Sequence, residues 1–96
     1  MTDPAQEAEE RFKDALLSSE VPHLFCTGFM NAVTNSDIVV FFEASGRPVA
    51  TLNLSFTMAK TLAKRLNETI VGLEEASGQR IMTTDEIDKA LRGKDQ

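Results

Sequence analysis

Between Val49 and Ile70 the apolar period changes from two to about 3.6, and the change falls at Ser55. Ala50, Leu52 and Leu54 alternate with Thr51 and Asn53, as a half-buried strand requires. Ala59, Leu62, Leu66, Ile70 and Leu73 then recur three or four apart, as one face of a helix requires. A strand that runs straight into a helix restricts where that helix can pack. The pattern therefore constrains the core and says nothing about chemistry.

Upstream, Ser45-Gly46-Arg47 and Asn35-Ser36 are turn signals. They divide the preceding residues into two further strands, His23 to Thr34 and Asp37 to Ala44. Gly28 marks a bulge or a close approach in the first. Short turns make neighbours antiparallel, so the three strands form a meander. Asp3-Pro4-Ala5-Gln6 opens an N-terminal helix, with Asp3 as cap and Pro4 at the first helical position. Its apolar stripe is thin, and a flexible segment is the alternative. Ser55 or Thr57 caps the long helix, which should end at Gly78. Thr83 and Glu86 have capping-box spacing for a short last helix that stops near Gly93. The expected fold is α+β: a three-stranded antiparallel meander covered on one face by a long helix, with short helices at both ends. Residues 1–96 read as one domain, with the N-terminal helix or flexible segment in 1–20. The meander and long helix occupy 21–78, and the short helix and tail 79–96.

Hydrophobic matching sets the expected register. A two-residue turn at Asn35-Ser36 puts Phe25, Phe29 and Val33 on one face with Ile38, Val40 and Phe42. A three-residue turn at Ser45-Gly46-Arg47 adds Ala50, Leu52 and Leu54 to it. These residues, with Leu62, Leu66 and Ile70, form the expected core. The opposite face then carries Leu24, Cys26, Met30, Ala32, Val39, Phe41 and Val49, where a sheet with one covering helix should be polar. Large exposed apolar patches are uncommon on monomers, so this face is a candidate for self-association or a partner. A homo-oligomer, a dimer as first choice, is expected, with a protein partner as the alternative cover. Within one chain, Phe12 and Leu16 of the first helix could supply the cover instead.

The net charge of −5 disfavours bulk nucleic-acid binding and attraction to anionic membranes. Ala44 to Asn67 nevertheless holds no acidic residue. Arg47, Lys60, Lys64 and Arg65 there form a candidate patch for an anion or an acidic partner, weighed against an ordinary solvated face. His23 and Cys26 are three apart, so on a strand they point to opposite faces and cannot share a metal. A cysteine acting as a small buried hydrophobe is the simpler reading of Cys26. No catalytic residue, metal site or cofactor is implied. One cysteine suits a reducing compartment. Asp3, Glu7, Glu9 and Glu10 leave no apolar stretch for a signal peptide, and a cytoplasmic location is expected.

From Asp37 onward the residues resemble a family of short bacterial proteins labelled as a domain of unknown function. The shared pattern is Asp37, Ile38, Val40, Phe42, then Ser55, Ala59, Lys60, Leu66, Asn67, Glu68 and Ile70. It covers roughly half to two thirds of the chain and is largely a core pattern. Phe56 stands where the family would have Pro, and Phe41 where a polar residue is common. The resemblance implies a strand-strand-strand-helix core and carries no activity. At the level of fold, a meander followed by a long helix also looks like the subunits of the bacterial protein-export chaperone. The leading expectation is a non-enzymatic, self-associating adaptor or chaperone-like module. A nucleic-acid or anion binder using the basic helix face is the alternative. An enzyme with a site formed across a dimer interface is a third reading.

Overall fold

The computed structural model describes residues 3–94. The first two residues, and the expected tail beyond Lys94, lie outside them. In chain order the elements are α1 (Pro4–Leu17), β1 (Gly28–Val33), β2 (Ile38–Ala44), β3 (Arg47–Leu54), α2 (Phe56–Ser77) and α3 (Thr84–Lys94). The strands form one antiparallel sheet in the order β1-β2-β3, and the class is α+β. The chain divides into two compact units. One holds α1 and most of the sheet, running to Thr34 and again from Val39 to Asn53. The other holds Asn35–Ile38 and everything from Leu54 onward, including α2 and α3.

Local chemistry explains the helix ends. Asp3 caps α1, its Oδ1 accepting from the Ala5 N–H at 3.3 Å, with Pro4 at the first helical position. The Ser55 hydroxyl caps α2 by accepting from the Met58 N–H at 3.1 Å. Gly78 ends α2 in the left-handed region at φ 69°, and its N–H donates to the Glu74 carbonyl at 2.9 Å. The Glu74 carboxylate in turn accepts from the Ile81 N–H at 2.8 Å. α3 opens with a reciprocal capping box. The Glu86 N–H donates to Thr83 Oγ1 at 3.2 Å, and the Thr83 N–H donates to Glu86 Oε1 at 3.1 Å.

The β2–β3 turn differs from expectation. Only Ser45 and Gly46 separate β2 from β3, and both have positive φ, 53° and 79°. Two positive φ values in a two-residue loop match the twist of a hairpin, and glycine at the second position adopts this conformation without Cβ strain. The loop sets Ala44 opposite Arg47, one residue away from the three-residue turn expected. Every side chain of β3 therefore changes face. Val49, Thr51 and Asn53 join Ile38, Val40 and Phe42, while Ala50 and Leu52 join Val39 and Phe41. Turn geometry, rather than hydrophobic matching, set this register.

β1 begins at Gly28, later than the expected start at His23. β2 ends at Ala44, so residues before Thr27 have no strand to pair with. The ladder closes there. The Thr27 N–H donates to the Glu43 carbonyl at 2.9 Å, and the Ser45 N–H donates to Thr27 Oγ1 at 3.0 Å. A Cβ on Gly28 would lie 2.9 Å from Glu43 Oε1 and 3.1 Å from its Cγ, which is the close approach the sequence suggested. Gly28 beside Glu43 gives the expected β1–β2 register, with Phe29 opposite Phe42.

The expected core is not buried within the chain. Among the described residues no side chain is buried at all. Phe25, Phe29, Val33, Leu52, Leu62, Leu66 and Ile70 are exposed. Ile38, Val40, Phe42 and Leu54 are half-buried. The central strand β2 is half-buried along its whole length because strands flank it on both sides. No helix among the described residues is long and apolar enough to cross a membrane.

Two tests follow from these local structures. Ser45→Asn places a residue that tolerates positive φ before Gly46, and should raise stability by about 0.5 kcal/mol in urea unfolding at fixed protein concentration. A loss of stability would contradict the two-residue turn. The second test concerns pH. The Thr83 backbone N–H and the Arg80 guanidinium hold the Glu86 carboxyl below its ordinary range, against a smaller opposing effect of desolvation. Its folded pKa thus lies below its unfolded one, so its support for α3 is complete above the unfolded value. That support is lost as pH falls through the folded value. Acidification through the carboxylate range should release the Thr83 amide, read by NMR, and Glu86→Gln should flatten this response.

Candidate interaction surface

The observed register builds one face of the sheet almost entirely from apolar groups. Met30 and Ala32 of β1 stand beside Val39 and Phe41 of β2, and β3 adds Ala50 and Leu52. Met30, Ala32, Val39 and Phe41, with Asn31, line a shallow hollow of about 220 Å³. Alternation in each strand makes this possible, since every second residue points to the same side. Met30 remains 70% exposed.

Four of the seven residues expected on this face, Met30, Ala32, Val39 and Phe41, are brought together there. Val49 is not, because the two-residue turn sends it to the side of Val40 and Phe42. Leu24 and Cys26 precede β1 and lie outside the strand, where both are exposed. The reading of Cys26 as a buried hydrophobe is corrected accordingly, since the segment that carries it has no strand partner. Ala50 and Leu52 are the members that hydrophobic matching missed. The signal for them was the Ser45-Gly46 pair, a two-residue turn that fixes pairing without reference to hydrophobicity.

The first helix does not supply the cover. Phe12 is 65% exposed and Leu16 53% exposed, so the stripe expected to close the face is itself open to solvent. α1 contains no buried residue.

The basic candidates fall in two places. Lys60, Lys64 and Arg65 lie on α2, and Arg47 opens β3 in the other unit. Arg65 pairs with Glu68 at 3.4 Å, an exposed pair one turn along the helix. Among the described residues no ion pair involves Lys60 or Lys64. A hollow on α3 is lined by Asp85, Asp88, Lys89 and Arg92, a mixed-sign surface of one solvated helix. No group of three or more His, Cys, Asp or Glu among the described residues is placed to hold a metal ion. The chain matches no family model, no curated protein and no solved structure.

Proposed function

We propose that this protein is a non-enzymatic interaction module, an adaptor or chaperone-like protein, that associates with itself. The observation that carries the reading is the apolar sheet face of Met30, Ala32, Val39, Phe41, Ala50 and Leu52, together with the lack of any buried side chain among the described residues. A chain must bury apolar area to offset the entropy lost on folding. An exposed face of this composition is the kind that marks protein contact. A second copy covers it in the simplest arrangement, a symmetric dimer. The proposal extends to a bacterial, cytoplasmic protein of the family it resembles, with a client or partner polypeptide as a further occupant of the same face.

The basic stripe supports a second reading. Lys60 and Lys64 are four apart near the N-terminal half of α2, where cations oppose the helix dipole. Among the described residues neither lysine forms an ion pair. A nucleic acid or other polyanion would neutralise them, and its binding would weaken steeply with salt.

Separate substitutions distinguish the two readings. Phe41→Asp places a charge on the apolar face, which is costly at a buried contact. It should turn an oligomeric wild type into a monomer in light scattering. A wild type that runs as a 10.6 kDa monomer at high micromolar concentration would end the self-association reading. Changing both Lys60 and Lys64 to Gln should leave stability within about 1 kcal/mol, as for solvated surface positions. It should also leave self-association intact. Salt-sensitive binding of single- or double-stranded DNA by the wild type, lost in this double variant, would favour the polyanion reading instead.

A further inference from the structure

We infer that the second copy pairs with the free edge of β1, in an antiparallel fashion about a two-fold axis at Asn31, so that two sheets join into one of six strands. The inference rests on the self-association proposed above and specifies its geometry.

The two edges of the sheet are unlike. β3 is one edge and β1 the other. In a hairpin with a two-residue loop, Ala44 and Arg47 exchange hydrogen bonds, so Pro48 turns its backbone nitrogen away from β2. That outward position has no N–H, and Arg47 adds a charge beside it. Both are devices that keep an edge from pairing with another chain. β1 has neither. Its sequence Gly-Phe-Met-Asn-Ala-Val contains no charge and no proline. Residues 21–36 contain no acidic, lysine or arginine residue either. Phe29 is 65% exposed and Val33 69% exposed on this edge. An uncharged, proline-free edge of six residues is a pairing site unless something covers it.

The register of β1 against β2 decides which groups face outward. Met30 lies opposite Phe41 and Ala32 opposite Val39. The backbone groups of Phe29, Asn31 and Val33 therefore point to the free edge. A two-fold axis at Asn31 pairs Asn31 with its own copy, Phe29 with Val33, and Met30 with Ala32. Each large side chain then meets a smaller one, as cross-strand packing favours. Charge leaves this edge as the place where a second copy is opposed least. With −5 on each chain, two copies repel, and the repulsion is least where the contact itself carries no charge. Within β1 no side chain is charged, and the one carboxylate placed against it, Glu43, stands at its first residue, Gly28.

The test uses the full chain. Hydrogen exchange at high micromolar concentration should protect the Phe29, Asn31 and Val33 amides, and dilution should remove that protection. The Ala50 and Leu52 amides, which face the β3 edge, should exchange freely throughout. Asn31→Pro removes one outward N–H per chain and leaves the β1–β2 ladder intact. It should raise the dimer dissociation constant by roughly thirtyfold, the effect of losing two hydrogen bonds. Ala32→Pro removes a bond to β2 and should instead unfold the sheet. Were Asn31→Pro also to unfold, exchange on the wild type would decide. A dimeric wild type whose Phe29, Asn31 and Val33 amides exchange freely would overturn the edge geometry and leave self-association standing. A monomeric wild type would overturn both.

Discussion

The two-residue turn at Ser45 and Gly46 is the constraint on which the sheet depends. Both residues adopt positive φ, and that conformation matches the natural twist of a hairpin. It leaves no freedom in how β3 pairs with β2. With the pairing fixed, alternation decides which side chains share a face. Ala50 and Leu52 fall beside Phe41 and Val39, while Thr51 and Asn53 fall beside Val40 and Ile38. The apolar character of one face follows from a backbone conformation several residues away.

The same turn sets the length of β1. Because β2 stops at Ala44, the first strand pairs only as far back as Thr27, whose backbone and hydroxyl both bond across to the end of the hairpin. Leu24, Phe25 and Cys26 then lie outside the sheet and exposed. The edge that remains is short, uncharged and apolar. Its contrast with β3, where Pro48 and Arg47 stand, gives the sheet one guarded edge and one open edge. A sheet built in this way has a direction in which it can be extended, and the proposed assembly uses it.

In the unit that carries α2 and α3, hydrogen bonds close local structure where apolar burial does not. Glu74 accepts from Ile81, and Glu86 joins Thr83 and Arg80 around the start of α3. These contacts order the connection between the helices. Leu62, Leu66, Ile70 and Leu73 are exposed along α2. Such a helix is amphipathic by sequence, and in general its stability comes from packing that face against something.

Elements and caps were legible in the sequence because they depend on neighbours within a few residues. Ser55, Gly78 and the Thr83–Glu86 box each act through a bond to a residue no more than four positions away. The β1–β2 register is legible too, because the Asn35-Ser36 turn signal lies midway between Val33 and Ile38, although four residues separate the two strands. Hydrophobic matching failed at β3 because it assumed that the apolar residues of each strand must share one covered face. The chain places them on the other side of the sheet, and only the dihedral angles of Ser45 and Gly46 decide this. The candidate face is half visible in the sequence: alternation places Met30, Ala32, Val39 and Phe41 there, but it leaves out Ala50 and Leu52 and adds Val49. The sequence by itself determined which segments are strands and helices, because propensity and capping are local. Only the tertiary structure decided which faces those segments present and that no side chain among the described residues is buried, because register and burial depend on pairing between distant residues.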